Sequence, residues 1–183
     1  MEYWSRFFYT VARPDRAFEI YGTGSWKQFL LLNLSLYGFL GGAVFYLEAF
    51  YPPAIGSMPA MYGLGKTASY LLAVAGGFLS NFVFLVPAAA VSLAFFGLLV
   101  HAVVILQGHS GIKKTARAVS FASASFATLA QLPGLVAAVP FHAAVVVFFS
   151  TRHEGLERRE ALLCVSPILL SGIFTVYVFL PPG

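Results

Sequence analysis

Charged residues are scarce in this sequence. Asp, Glu, Lys and Arg make up 10% of its 183 residues, whereas 59% are hydrophobic. A soluble domain carries about 25% charged and about 45–50% apolar residues. The shortfall in charge leaves too little polar surface for contact with water, so we predict an integral membrane protein whose surface contacts lipid. The net charge of +4 does not indicate nucleic-acid binding, because the basic residues flank apolar runs.

Catalytic and metal-binding patterns are missing as well. GxSxG, HExxH and Walker sequences are absent, and the single cysteine, Cys164, excludes an intrachain disulfide. The apolar blocks hold no Asp, Glu or Lys and only one Arg, Arg117, near an end. His101 and His142 are the intramembrane polar candidates, but a zinc site needs three or four ligands. We therefore predict packed histidines, no metal, no cofactor and no enzymatic activity.

Five continuous apolar blocks dominate what is present. A helix needs about 20 apolar residues to cross a bilayer, and alternation typical of membrane strands is not seen. We predict an all-α, polytopic transmembrane helical bundle at residues 27–183, with spans at about 29–47, 68–106, 115–132, 133–150 and 161–180. The second block is long enough for one extended helix or for two segments broken near Pro87. Pro87, Pro140 and Pro167 are each predicted to bend a helix.

The distribution of basic residues indicates how the blocks cross. A single crossing by the second block places ten of the eleven Lys and Arg residues on the side of the N-terminus, and only Lys66 on the other. The positive-inside rule then favours five spans, a cytoplasmic N-terminus and an outside C-terminus.

The segment at residues 1–26 precedes the first span and combines aromatic with basic residues. This pattern predicts a short interfacial amphipathic helix with its guanidiniums toward lipid head groups. Pro14 breaks this helix or begins a second one. The residues concerned are Tyr3, Trp4, Phe7 and Phe8 with Arg6, Arg13 and Arg16.

Small residues indicate where helices approach closely. Gly38 and Gly42 form a GxxxG face on the first span, which is predicted to meet another membrane protein or a second copy of the chain. The third span is rich in Ala, Ser and Thr on all sides and is therefore expected at the centre of the bundle.

Two glycine-containing basic turns are the candidate contact surface. Their glycines permit positive φ, and their basic side chains suit lipid phosphates or acidic partners; the alternative is that they are only short topological loops. The turn residues are Gly108, Gly111, Lys113, Lys114, Arg152, His153, Gly155, Arg158 and Arg159.

The order of several such features resembles the Yip (Ypt-interacting protein) domain family. The matching residues are Pro14 and Phe18 before the first span, His101 followed by Gly108, Gly111 and Lys113, the small-residue run from Phe121 to Pro133, and His153, Gly155 and Ala161. This resemblance implies five spans and a cytoplasmic N-terminus. Eukaryotic members bind prenylated Rab-type GTPases through a region with an Asp-Leu-Tyr-Gly-Pro motif, which is not found here, so the chain resembles a short prokaryotic-type member. The resemblance therefore implies a location in the inner or plasma membrane of a prokaryotic cell.

These observations predict a non-enzymatic scaffold or adaptor that associates with other membrane proteins or organises membrane lipid. The alternative is a small-solute permease or channel built around proline-bent helices, with His101 and His142 lining its path.

Overall fold

The computed structural model describes residues 2–22, 24–49, 66–130 and 135–179, and all regular secondary structure in these ranges is helical. The predicted all-α class is therefore confirmed. The predicted boundary at residues 132 and 133 and the predicted end at residue 180 lie outside the described residues. The helices are α1 (Glu2–Ala12), α2 (Pro14–Tyr21), α3 (Trp26–Ala49), α4 (Lys66–Leu106), α5 (Ile112–Leu129), α6 (Val139–His153) and α7 (Arg158–Phe179), with a 3-10 turn at Val136–Ala138.

The long apolar block forms one helix. α4 has 41 residues and continues through Pro87, which at 1.5 Å per residue gives a length of about 60 Å. The sequence left open a break near Pro87, and the structure has none. Within α4, Phe78–Leu106 is the one stretch among the described residues that is long and apolar enough to cross a membrane, by length and composition.

The prediction that Pro140 bends a helix is wrong. Pro140 is the second residue of α6, which begins at Val139 rather than near residue 133. The backbone N–H groups of a first helical turn have no acceptor within the helix, so proline there removes no hydrogen bond. Pro87 and Pro167 do lie inside helices, and bending at these two positions stays a prediction.

Helix α5 lies at the centre of the structure, as its small residues predicted. It packs against α1, α3, α4 and α6, and every residue from Ala118 to Ser125 is buried. Small side chains allow this because neighbouring backbones can approach on every side. Phe121 is the large exception, and its ring meets aromatic rings of α2 and α3 at centroid distances of 4.1 and 5.2 Å.

The N-terminal segment forms two helices that dock on the bundle. Pro14 is the first residue of α2, so the predicted second helix is present. The exposed guanidiniums of Arg13 and Arg16 fit the predicted amphipathic pattern, whereas Arg6 is buried together with Phe7. The interfacial pattern therefore misplaces Arg6, which faces the protein and not the surface.

The Gly38–Gly42 face is used within the chain. A Cβ atom on Gly38 would lie 2.5 Å from Val86 Cγ2 and 2.7 Å from Phe82 Cδ2, and one on Gly42 would overlap the ring of Phe78. These glycines let α3 and α4 pack closely, so the face has no room for a helix from another chain.

Several polar side chains are buried in this structure, whereas many large apolar side chains are exposed. Asn33, Ser120, Ser123, Ser125 and Ser150 are buried, although they are polar. Large apolar side chains are exposed on several helices, among them Phe84 (72%), Leu106 (85%) and Phe174 (68%).

Candidate functional site

The two predicted basic turns both end a helix in the same way. After α4, the N–H of Gly108 bonds to Ile105 O at 2.9 Å and that of His109 to Val104 O at 3.1 Å. After α6, Gly155 bonds to Arg152 O and Leu156 to Thr151 O, both at 3.1 Å. This pair of bonds defines a Schellman motif, which needs a left-handed residue. Gly108 and Gly155 supply it, with φ of 80° and 99°.

Glu154 joins the two turns. Its Oε1 accepts a hydrogen bond from Arg117 Nη1 at 2.8 Å, and its backbone oxygen accepts one from Lys114 Nζ at 3.0 Å. Arg117 and Lys114 lie in the first two turns of α5, whereas Glu154 directly follows α6. These bonds bring the two sequence-predicted turns to one end of the bundle.

A second link joins the first turn to the start of α7. His109 Nε2 lies 3.0 Å from Glu160 Oε1, and Gln107 donates to the backbone oxygen of Glu160 at 3.2 Å. Glu160 Oε2 also accepts from the N–H of Glu157 at 2.7 Å, which caps α7. This backbone hydrogen bond and the His109 contact lower the pKa of the Glu160 carboxyl below its ordinary value.

The predicted contact residues are not equivalent. Lys114 and Arg152 are used internally, the latter by donating to Leu156 O at 2.9 Å. Among the described basic residues of the two turns, three exposed side chains make no hydrogen bond or ion pair: Lys113, Arg158 and Arg159.

Arg6, which the sequence assigned to the lipid interface, has surroundings that the sequence did not predict. Its guanidinium carbon lies 4.4 Å from the centre of the Phe29 ring and 4.5 Å from that of Phe121. Nη1 reaches Ser25 O at 3.4 Å, while Nε and Nη2 are buried with no hydrogen-bond partner. Burial lowers the pKa of Arg6 from its ordinary value, Arg117 acts in the same direction, and Glu2 opposes both.

A buried polar chain links the N-terminal helix to the bundle core. Tyr3 Oη donates to Asn33 Oδ1 at 2.9 Å, and Asn33 Nδ2 donates to Ser123 Oγ at 2.8 Å. Ser123 Oγ in turn donates to Ser120 O at 2.5 Å. Burial raises the pKa of Tyr3 to about 12. Asn33 was not predicted, since one asparagine in an apolar block has no recognisable motif.

The two histidines occupy different surroundings. His142 is hydrogen bonded at both ring nitrogens, through Nδ1 to Ser125 Oγ at 2.8 Å and through Nε2 to Val11 O at 2.9 Å. His101 lies 3.2 Å from Thr115 Oγ1 and lines an almost wholly apolar cleft of about 340 Å³ between α3, α4 and α5. His142 is not among the residues that line this cleft. No group of three or more metal-ligating side chains occurs in the part of the chain that the structure describes.

Comparison with known proteins adds no relative. No protein-family model, no curated protein and no solved structure matches the chain significantly. The resemblance to the Yip family stays a prediction that depends on its matching sequence features, from Pro14 to Ala161. Function is therefore inferred from the arrangement of the side chains.

Proposed function

We propose that the protein is a non-enzymatic integral membrane protein with five spans and a cytoplasmic N-terminus. In this proposal α3 to α7 cross the bilayer, and the basic end of the bundle acts as a scaffold or adaptor surface for other membrane proteins. Membership of the Yip family, as a short prokaryotic-type member, is part of the same proposal.

The surface of the bundle supports membrane insertion. The apolar stretch of α4 has a mean hydropathy of 2.5, and only 22% of it is buried inside the protein. The apolar core helix of a soluble protein would be mostly buried, whereas this one exposes Phe84, Val91 and Leu98. Contiguous exposed apolar surface of this kind indicates contact with lipid or another protein.

The arrangement of helix ends supports the proposed topology. The bonds of Glu154 and Glu160 place the end of α4, the start of α5, the end of α6 and the start of α7 together. The end of α2 joins them, because a Cβ on Gly22 would lie 3.4 Å from His153 Nε2. Trp26, at the start of α3, lines the same cleft as His101 and Ile112. Lys66 is the first residue of α4, at the other end of this 41-residue helix. One basic end and one end with few charges is the pattern that the positive-inside rule describes.

The scaffold role depends on one observation. The two turns are fixed by internal bonds from Lys114, Arg117 and Arg152, yet Lys113, Arg158 and Arg159 remain exposed and unpaired. Because the turns are already fixed, binding a partner does not require ordering of their backbone, and the exposed basic side chains are suited to an acidic partner surface.

Charge reversal tests this role. The variant Lys113→Glu, Arg158→Glu, Arg159→Glu should fold normally, because none of the three side chains is used internally. We expect it to lose a stoichiometric protein that co-purifies with the wild type in mild detergent. Arg13→Glu, Arg16→Glu, Lys27→Glu is the matched control, since it makes the same charge change at exposed positions of the N-terminal segment and of the start of α3. Purification of the wild type alone, or equal loss in both variants, would contradict the proposal.

The permease alternative has one observation in its favour, the apolar cleft lined by His101. The cleft suits an apolar solute, but a polar solute finds few hydrogen-bonding groups there. Reduced solute flux into proteoliposomes on His101→Ala, with flux unchanged on His142→Ala, would favour this alternative over the scaffold.

A further inference from the structure

The burial of Arg6 is costly for the protein as it stands. Arg6 is only 6% exposed, and a charged group is removed from water at a cost unless its hydrogen bonds are replaced. The rings of Phe29 and Phe121 cover the faces of the guanidinium and attract its charge. They do not accept its N–H groups, which lie in the guanidinium plane.

Arg6 also has no acidic partner among the described residues. No carboxylate lies within ion-pair distance of it, although Glu2 is one helical turn away and acts on its pKa. Three of the four buried side-chain polar atoms without a partner in the described chain are guanidinium nitrogens: Nε and Nη2 of Arg6, and Nε of Arg117. Arg117 adds a second positive charge close enough to lower the pKa of Arg6.

A pocket of about 130 Å³ lies between α1 and α3 beside this guanidinium. Ser25 and Gln28 line it and are exposed, so a hydroxyl and an amide donor are available next to the charge. Glu2 lines it too and opposes an anion. The hydroxyl of Tyr3 is already used by Asn33.

We propose that this pocket binds a phosphate group through Arg6, Ser25 and Gln28. A guanidinium presents parallel N–H donors that match phosphate oxygens, and an anion in the pocket would supply the negative charge that the buried Arg6 lacks. Phosphate chemistry is available from an anionic phospholipid head group or from free phosphate. Exposed Trp4 and Phe8 on α1 suit the interface region where lipid phosphates lie. This site is separate from the basic turns and does not depend on the scaffold role.

The test measures thermal unfolding in an uncharged detergent with four additions: phosphatidylglycerol, diacylglycerol, sodium phosphate and, at matched ionic strength, sodium chloride. A saturable rise in Tm with phosphatidylglycerol alone identifies a lipid head group, and a rise with sodium phosphate identifies the free ion. Equal shifts with phosphatidylglycerol and diacylglycerol would mean that acyl chains stabilise the protein, which overturns the proposal. No shift with either phosphate source also overturns it.

Variants at exposed positions of the pocket make the test specific. Gln28→Glu adds a negative charge, and we expect it to weaken binding about tenfold or more. Glu2→Gln removes the opposing carboxylate and should tighten binding. Glu19→Gln, an exposed carboxylate on α2, is the matched control and should leave it unchanged. Arg6→Lys keeps the charge but loses the paired donors, and should weaken binding too. Equal affinity in the wild type, Gln28→Glu and Glu2→Gln would refute the site even if Arg6→Lys fails to fold.

Discussion

Asn33 is the residue on which the docking of α1 depends most directly. It is fully buried and accepts from Tyr3 while donating to Ser123, so Asn33→Leu leaves the Tyr3 hydroxyl without its acceptor. A buried unpaired polar group costs about 1–3 kcal/mol, and hydrogen bonds between membrane helices are worth about 0.6 kcal/mol on average and at most about 1.7. We expect Asn33→Leu to lower the free energy of unfolding by about 1–2 kcal/mol, measured by denaturation in mixed micelles.

The control for Asn33→Leu is Ser35→Leu, at an exposed position of the same helix. It should change stability little, because it removes no internal partner. The double variant Tyr3→Phe, Asn33→Leu should cost less than the two single changes added together, since both break one bond. Full additivity would show that the Tyr3–Asn33 bond contributes nothing.

The contacts of single polar residues are what the sequence predicts least well. His101 and His142 were selected because histidine is rare in apolar blocks, and the structure gives both of them hydrogen-bonding partners. Asn33 was not selected and Arg6 was assigned to the lipid interface, since the roles of both depend on what α1 and α5 place beside them. Periodicity within one segment contains no information about a contact 90 residues away.

Among the elements, the two Schellman turns allow the cleanest test. A Cβ on Gly108 or Gly155 would meet nothing within 4 Å, so replacement by alanine acts only through the positive φ. A left-handed conformation costs a residue with a Cβ about 1–2 kcal/mol. We therefore expect Gly108→Ala and Gly155→Ala each to destabilise the protein by about that amount, as seen in its unfolding free energy.

Gly76→Ala should change the free energy of unfolding in the opposite direction. Gly76 lies within α4, also has open space around its Cα and has no positive φ. Alanine should stabilise a helix interior there by about 0.5–1 kcal/mol relative to glycine. If Gly108→Ala and Gly155→Ala stabilised the protein as Gly76→Ala should, the left-handed conformations of Gly108 and Gly155 would be wrong.

Helices were more predictable than their ends. The apolar blocks predicted the positions of α3 to α7, because the hydrophobicity of a segment and the backbone hydrogen bonds within a helix both depend on local sequence. Pro140 was wrongly predicted to bend a helix, because the apolar pattern of residues 133–150 does not show that the helix begins only at Val139. The GxxxG face of α3 was located correctly as a close-packing surface, but its partner was Phe78 and Phe82 of the same chain, which spacing alone does not reveal.

For the whole molecule, the fold class followed from composition, while the meeting of the two basic turns needed the structure. Composition decides whether a surface suits water or lipid, and the basic residues beside the apolar blocks indicate which side of a membrane each loop would face. Glu154, however, is one acidic residue in a basic turn, and its role in joining α5 to α6 follows from tertiary packing. Insertion into the membrane and the orientation of the chain there are the parts of the proposal that depend on experiment.

Cysteine accessibility tests that orientation. In a Cys164→Ala background, Ser110→Cys lies in the turn after α4 and Ser57→Cys precedes that helix in the chain. Because α4 is one unbroken helix of about 60 Å, twice the hydrocarbon thickness of about 30 Å, a single crossing places the two cysteines on opposite sides. We expect a membrane-impermeant maleimide to label Ser57→Cys in intact cells and Ser110→Cys only after lysis. Labelling of both cysteines in intact cells, or of neither, would show that α4 does not cross the membrane, and the proposed five-span topology would then be wrong.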